Sequence, residues 1–129
     1  MNNRILVVED EEDNRRILRD LLTSANCEVI EALTGEEGVA LAESHRPALI
    51  LMDLRLPVLD GYEAMRRIKA NPALSQIPII AVSSYALSGD DVAALEAGCD
   101  AYISKPFSPR DLLAKIREYL PWVAVRGTS

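Results

Sequence analysis

Short apolar runs alternate along the chain with longer stretches whose apolar residues recur every three or four positions, a pattern that predicts repeated βα units around a parallel sheet. Ile5-Leu6-Val7-Val8 reads as a first strand, followed by a helix over 12–24 with Ile17, Leu18, Leu21 and Leu22 on one face. Residues 27–32 form a shorter, more polar run, expected as an edge strand. Thr34-Gly35-Glu36-Glu37 resembles a capping box that opens a helix to about Ser44, and Pro47 precedes a third strand over 48–52. Asp60-Gly61-Tyr62-Glu63 repeats the capping pattern for a helix with Tyr62, Met65 and Ile68 inward, ended by Asn71-Pro72. Residues 78–83 read as the fourth strand, and Ser88-Gly89-Asp90-Asp91 as the cap of a fourth helix burying Val92 and Leu95. Gly98 suits a left-handed helix end. Residues 101–104 make the fifth strand. Ser108-Pro109-Arg110-Asp111 opens a last helix with an apolar stripe of Leu112, Leu113, Ile116 and Leu120, stopped by Pro121. The expected fold is α/β: five parallel strands, doubly wound by five helices.

The third of these runs is apolar through Leu49-Ile50-Leu51-Met52 and ends in Asp53, before a loop punctuated by Pro57. A continuous apolar run belongs to a strand buried on both faces. Asp53 therefore falls at the carboxyl end of a central strand, the rim where open parallel sheets bind ligands.

At 129 residues the chain is one domain's worth. Its 49% hydrophobic and 26% charged residues are ordinary for a globular protein, and no apolar run approaches the ~18 residues of a membrane span. Met1-Asn2-Asn3-Arg4 leads into a strand with no signal-like segment, so a cytoplasmic location without membrane association is expected. The net charge of −6 disfavours direct binding to nucleic acid. Cys27 and Cys99, with a single histidine, His45, offer neither a disulfide framework nor a zinc site; both thiols are expected buried and reduced, and His45 at the surface of a helix end.

Candidate chemistry gathers at the strand ends. Strand one runs into Glu9-Asp10-Glu11, strand three into Asp53, strand four into Ser83-Ser84 and strand five into Lys105. In a doubly wound sheet these side chains converge on one crevice. An acidic helix amino terminus alone would account for Glu9 to Asp13, but it leaves Asp53 and Lys105 unexplained. Crowded carboxylates call for a hard divalent cation, Mg²⁺ or Mn²⁺. Beside a cation and a fixed ammonium, a carboxylate can act as a nucleophile toward phosphorus, which gives Asp53 and Lys105 their roles. The Ser83 hydroxyl would then donate to a phosphoryl oxygen.

These pieces resemble the receiver domain of two-component response regulators. The likeness is carried by Ile5-Leu6-Val7-Val8-Glu9-Asp10-Glu11, by Leu51-Met52-Asp53-Leu54 through Leu56-Pro57 to Asp60-Gly61, and by Ala81-Val82-Ser83, Ala97-Gly98 and Lys105-Pro106-Phe107. The spacings match as well: 30 residues from Asp53 to Ser83 and 52 from Asp53 to Lys105. The resemblance implies a flavodoxin-like sheet of order 2-1-3-4-5, with residues 1–121 as the receiver and 122–129 as a short tail that is too short for an output module. It implies that Asp53 accepts a phosphoryl group from a sensor histidine kinase or a histidine phosphotransfer protein. Mg²⁺ would be held by Asp10, Asp53 and the backbone carbonyl of Arg55, with Glu9 acting through water. Ser83 and Lys105 would bind the phosphoryl group, and Tyr102 would be the aromatic whose rotamer follows Ser83, in addition to packing. Lys105-Pro106 resembles the family's cis peptide.

The sequence departs mildly from the common pattern. Glu9 stands where aspartate is commoner, Ser83 where threonine is common and Ser84 where alanine is frequent, while Arg55 brings a large cation two residues after the acceptor. Residues 81–90 and 101–107 most resemble stand-alone receivers of the DivK type and receivers of hybrid kinases. A readout face near Leu87, Tyr102 and Pro106 would meet a downstream protein target, and Tyr85 would belong to an interaction surface or lid. The leading reading is a signalling switch whose only chemistry is its own phosphorylation and dephosphorylation; a receiver excised from a larger kinase or regulator is the alternative. An aspartyl-phosphate phosphohydrolase would want a general acid where Arg55 stands. A flavin carrier would want a phosphate-cradling loop where Glu9 to Asp13 are acidic.

Overall fold

The computed structural model describes residues 2–56, 59–83 and 90–123, with Asp90 and Asp91 described through their backbone alone. The elements follow in order as β1 (Arg4–Val8), α1 (Glu12–Ser24), β2 (Glu28–Ala32), α2 (Gly35–His45), β3 (Leu49–Asp53), α3 (Gly61–Ala70), β4 (Ile79–Ser83), α4 (Asp90–Ala97), β5 (Ala101–Ser104) and α5 (Pro109–Tyr119). The strands form one sheet of order β2-β1-β3-β4-β5, and every adjacent pair is parallel. The polar run is at an edge, as expected, while β3 and β4 lie inside and are buried at all five positions.

Strand alternation divides the core into two layers. On one face Leu6, Val8, Ile50, Met52, Ile79 and Ala81 pack against α2, α3 and α4. On the other, Ile5, Val7, Leu49, Leu51 and Ile80 pack against α1 and α5 through Leu18, Leu21, Leu22, Leu112, Leu113 and Ile116. Two helices on one face and three on the other make the sheet doubly wound.

The helix caps form largely as the sequence predicts. The amides of Glu37, Glu63 and Asp111 donate to the side-chain oxygens of Thr34, Asp60 and Ser108 at 3.1, 2.9 and 3.0 Å, each satisfying an open first-turn donor. Glu37 also reaches back to accept from the Leu33 amide, at 2.9 Å. Gly98 closes α4 at φ +114, and the Lys105-Pro106 peptide is cis. Cys27 and Cys99 are buried and free, and His45 is exposed at the end of α2.

The structure corrects two expectations about helix faces. Ile17 is 58% exposed, because the α1 stripe runs through Leu18, Leu21, Leu22 and Ala25, at i, i+3, i+4 and i+7, which leaves Ile17 at its margin. Val92 and Leu95 are 54% and 57% exposed. The small residues Ala94 and Ala97 are what α4 buries. Positions two apart on a helix lie about 200° apart, so seating Ala94 and Ala97 on the sheet turns Val92 and Leu95 outward. Of the expected tail, Trp122 is exposed and Val123 is buried against the α1 and α5 layer. Pro57, Ser84, Tyr85, Leu87 and the Ser88-Gly89 portion of the expected α4 cap lie outside the described residues.

Candidate functional site

The period of two that builds the core also sorts the polar residues at the rim. Val7 and Leu51 are register partners on the α1 and α5 face, and two residues further on stand Glu9 and Asp53. Asp53 pairs with Val82, and Val82 with Ile103. Lys105, two residues past Ile103, is thus of the same parity and starts farther out along the strand axis. Its long side chain runs back over the rim: Nζ lies 2.7 Å from Glu9 Oε1 and 3.6 Å from Asp53 Oδ2. Glu9 and Asp53 are only 2% and 6% exposed, whereas Asp10 beside them is exposed.

Backbone donors complete the carboxylates' surroundings. The Arg55 amide donates to Asp53 Oδ1 at 3.0 Å and the Glu11 amide to Glu9 Oε2 at 3.2 Å. Oxygens of Glu9, Asp10 and Asp53 all lie within 4.8 Å of one another. The structure thus brings together Glu9, Asp10, Asp53, Lys105 and the Arg55 backbone from three strand ends and one loop.

Ser83 and Tyr102 occupy the other parity. Ser83 is fully buried at the end of β4, and the Lys105 amide donates to its carbonyl at 2.7 Å. Tyr102 is the register partner of Ala81, two residues before Ser83 on the same face, and packs half-buried on the layer formed by α2, α3 and α4. Serine and tyrosine share a face and adjacent strands, with β3, which ends in Asp53, directly beside β4.

The electrostatics follow from this crowding. Burial raises the Asp53 pKa most; the Arg55 amide and Lys105 oppose it, the hydrogen bond and charge of Glu9 reinforce it, and the group is pushed up to about 7. Burial would raise Glu9 too, but hydrogen bonds from Lys105 and Asp53, the Lys105 charge and the Glu11 amide outweigh it and hold Glu9 below the ordinary carboxylate value. Burial alone would lower Lys105; its bond to Glu9 and the charges of Asp53, Glu9 and Glu11 raise it instead, so it stays an ammonium. A raised Asp53 beside a lowered Glu9 marks crowded carboxylates whose charge Lys105 offsets only in part. A hard divalent cation, with its preference for carboxylate oxygen, fits this donor set.

Two residues of the site went unforeseen in the sequence. Arg15 Nη1 donates to the backbone carbonyls of both Glu9 and Asp10, at 3.0 Å each, and Glu31 on β2 lies beside Arg15 and Arg19. The only clue to the pairing is that Glu31 stands in register with Val7, two residues before Glu9, and register is a tertiary fact.

Known proteins match this chain over nearly its whole length. The sequence model for the response regulator receiver domain covers residues 5–117. The polar-differentiation response regulator DivK of Brucella anthropi is 41% identical over 120 residues, covering 93% of this chain and 98% of that protein. Among solved structures, the receiver domain of sensor histidine kinase PA1611 from Pseudomonas aeruginosa, with a magnesium ion coordinated in its active-site cleft, superposes with a TM-score of 0.88 at 38% identity, covering 94% of this chain and 99% of that one. A CheY-like receiver domain protein from Methanospirillum hungatei gives a TM-score of 0.84 at 38% identity, covering 94% and 95%. With its sheet order, its acid and lysine cluster and these relatives in agreement, the chain belongs to the response regulator receiver domain family.

Proposed function

We propose that this protein is a phosphorylation switch in which Asp53 accepts a phosphoryl group from the phosphohistidine of a sensor histidine kinase or histidine phosphotransfer protein. The observation that carries this is the placement of the Asp53 carboxylate at the rim of the central strand, with Glu9 and Asp10 within 4.8 Å and the Lys105 ammonium 3.6 Å away. An Asp53 oxygen attacks phosphorus as the phosphorus–nitrogen bond of the donor breaks, its electron pair returning to the imidazole. The Arg55 amide on Oδ1 holds the carboxylate in one orientation during the attack. Asp10, Asp53 and the Arg55 carbonyl, with Glu9 through water, would hold a divalent cation, which would supply charge neutralisation for the incoming group. Lys105 carries the remaining positive charge toward the phosphoryl oxygens, and it can do so because its present partner, Glu9, is next door.

The switch half of the reading rests on Ser83 and Tyr102. A phosphoryl oxygen at Asp53 accepts from the Ser83 hydroxyl at the neighbouring strand end, and Tyr102, on the same face, follows into the space released. The altered surface around α4 and β5 is then presented to a downstream protein. The chain's net charge of −6 supports a protein partner over nucleic acid, and two free buried thiols support a reducing, cytoplasmic compartment. Residues 1–121 are read as the switch unit and 122–129 as its tail, a division supported by the family match ending at residue 117.

The test is incubation with acetyl phosphate and Mg²⁺ followed by peptide mass spectrometry, with beryllofluoride titrated in parallel by NMR. The expected result is one phosphoryl group on the peptide containing Asp53 and amide shifts extending through β4 and β5. If Asp53→Asn is labelled to the same extent as wild type, the assignment of the acceptor is wrong.

A further inference from the structure

The turn from β1 into α1 has an unusual anchor. Helix α1 begins at Glu12 without a side-chain cap from Glu11. The neighbouring carbonyls are instead gathered from inside the helix, where Arg15 Nη1 donates to Glu9 O and Asp10 O, both at 3.0 Å. Those two carbonyls belong to the peptide units on either side of the Asp10 α-carbon. Fixing both planes fixes φ and ψ of Asp10, and with them the direction of its Cα–Cβ bond. Asp10 is exposed, so little packing does this for it.

Arg15 is itself held. Its side chain is 11% exposed, and its Nε lies 3.4 Å from Glu31 Oε1. Glu31 is fixed in turn by a two-pronged contact with Arg19, Nε to Oε2 at 2.7 Å and Nη2 to Oε1 at 2.8 Å. The edge strand β2 and the outer side of α1 are thereby connected to the acid turn through one guanidinium. The guanidinium meets the two carbonyls through Nη1 and the carboxylate through Nε, two nitrogens held in a fixed plane, whereas a lysine would have to serve all three acceptors from one flexible point charge.

We infer that Arg15, oriented by Glu31, is a positioning residue that sets the divalent-cation affinity of the site by fixing the backbone on both sides of Asp10. This rests on the reading of Asp10 as a cation ligand. Groups that orient a ligand without touching the ion typically change metal affinity by 10- to 100-fold. The effect is also selective by ion. Mg²⁺ demands near-ideal octahedral geometry, whereas Ca²⁺ accepts irregular coordination, so a loosened Asp10 penalises Mg²⁺ more.

The experiment is calorimetric titration of the purified protein with MgCl₂ and, separately, CaCl₂, for wild type, Arg15→Gln, Arg15→Lys, Arg19→Gln and Asp10→Asn, alongside urea unfolding in EDTA. Arg15→Gln is expected to weaken Mg²⁺ binding by about tenfold and Ca²⁺ binding by distinctly less, with the unfolding transition still cooperative. Arg15→Lys should fall between wild type and Arg15→Gln, and Arg19→Gln, which leaves the carbonyl contacts intact, should stay within about threefold of wild type. Should Arg15→Gln fail to fold, Arg15→Lys carries the comparison. Mg²⁺ affinity unchanged in the folded Arg15 variants, with Asp10→Asn abolishing it, overturns the positioning role alone. Equal losses for Mg²⁺ and Ca²⁺ overturn it as well, since they would signal general damage. Mg²⁺ affinity untouched by Asp10→Asn overturns the ligand reading and the inference with it.

Discussion

The surroundings of Asp53 disfavour its charged form. Burial and the neighbouring Glu9 push its pKa up to about 7, so the metal-free folded protein keeps a proton on it that the unfolded chain releases near the ordinary carboxylate value. A raised folded pKa stabilises fully below the unfolded pKa, and that contribution is lost as pH rises through about 7. Asp53→Asn, which mimics the protonated form, is therefore expected to match wild type only near or below the unfolded carboxylate value and to gain on it as pH rises, its advantage growing by roughly 1 to 3 kcal/mol between pH 5 and pH 8. Urea unfolding in EDTA at the two pH values measures this, and a variant less stable than wild type at pH 8 would contradict it. That Asp53 and Lys105 meet at one rim of the sheet was legible from residue type and spacing. The internal pairing of Lys105 with Glu9 at 2.7 Å, closer than with Asp53, was not, because side chains of equal parity choose partners by reach.

At the scale of elements, the site depends on how closely α3 approaches the end of β3. A Cβ built on Gly61 would lie 2.3 Å from the Asp53 carbonyl oxygen and 2.8 Å from the Leu54 α-carbon. Both are backbone atoms and cannot swing aside. Gly61→Ala is expected to cost about 1 to 3 kcal/mol by overpacking and to displace the Asp53 backbone, slowing labelling by acetyl phosphate if Asp53 is the residue that accepts it. Gly38→Ala is the comparison: the nearest atoms its Cβ would meet belong to the Val8 side chain, at 2.9 Å, and it should leave labelling intact. Urea midpoints and labelling rates of the two variants provide the measurement. Helix faces show the limit of pattern reading at this scale. The α4 sequence presents large apolar residues at Val92 and Leu95, yet burial goes to Ala94 and Ala97, because a short helix lies closest to a sheet through its smallest side chains. The caps at Thr34, Asp60 and Ser108, by contrast, are decided within one turn of chain and form where the sequence puts them.

For the whole molecule, cation binding and folding are linked by mass action. The three acids come from β3 and the β1–α1 turn and meet only in the folded state, so an ion bound there stabilises the fold. At a hundredfold excess over its dissociation constant, Mg²⁺ is expected to raise the unfolding free energy by about 2.7 kcal/mol. Its removal by EDTA should reverse this, and Asp10→Asn should abolish most of the response. Thermal melts with and without Mg²⁺ test the coupling. A wild type whose melting temperature ignores saturating Mg²⁺ would exclude the site as the place of binding. The gain should grow from about pH 6 to pH 8, since ion binding displaces the proton that Asp53 otherwise keeps up to about 7.

The sequence by itself determined the alternation of strands and helices, the burial of β3 and β4, and the identity of the acids, hydroxyl and lysine at the strand ends. Each is written in local periodicity or in residue type at a chain turn. Tertiary structure decided what depends on register and approach. It placed Glu9, Asp53 and Lys105 on one face and Ser83 and Tyr102 on the other, and it turned Ile17, Val92 and Leu95 outward. It also brought Arg15 and Glu31 together behind the acid turn. Such contacts join residues far apart along the chain, and their geometry is fixed only when neighbouring strands align and helices settle on the sheet.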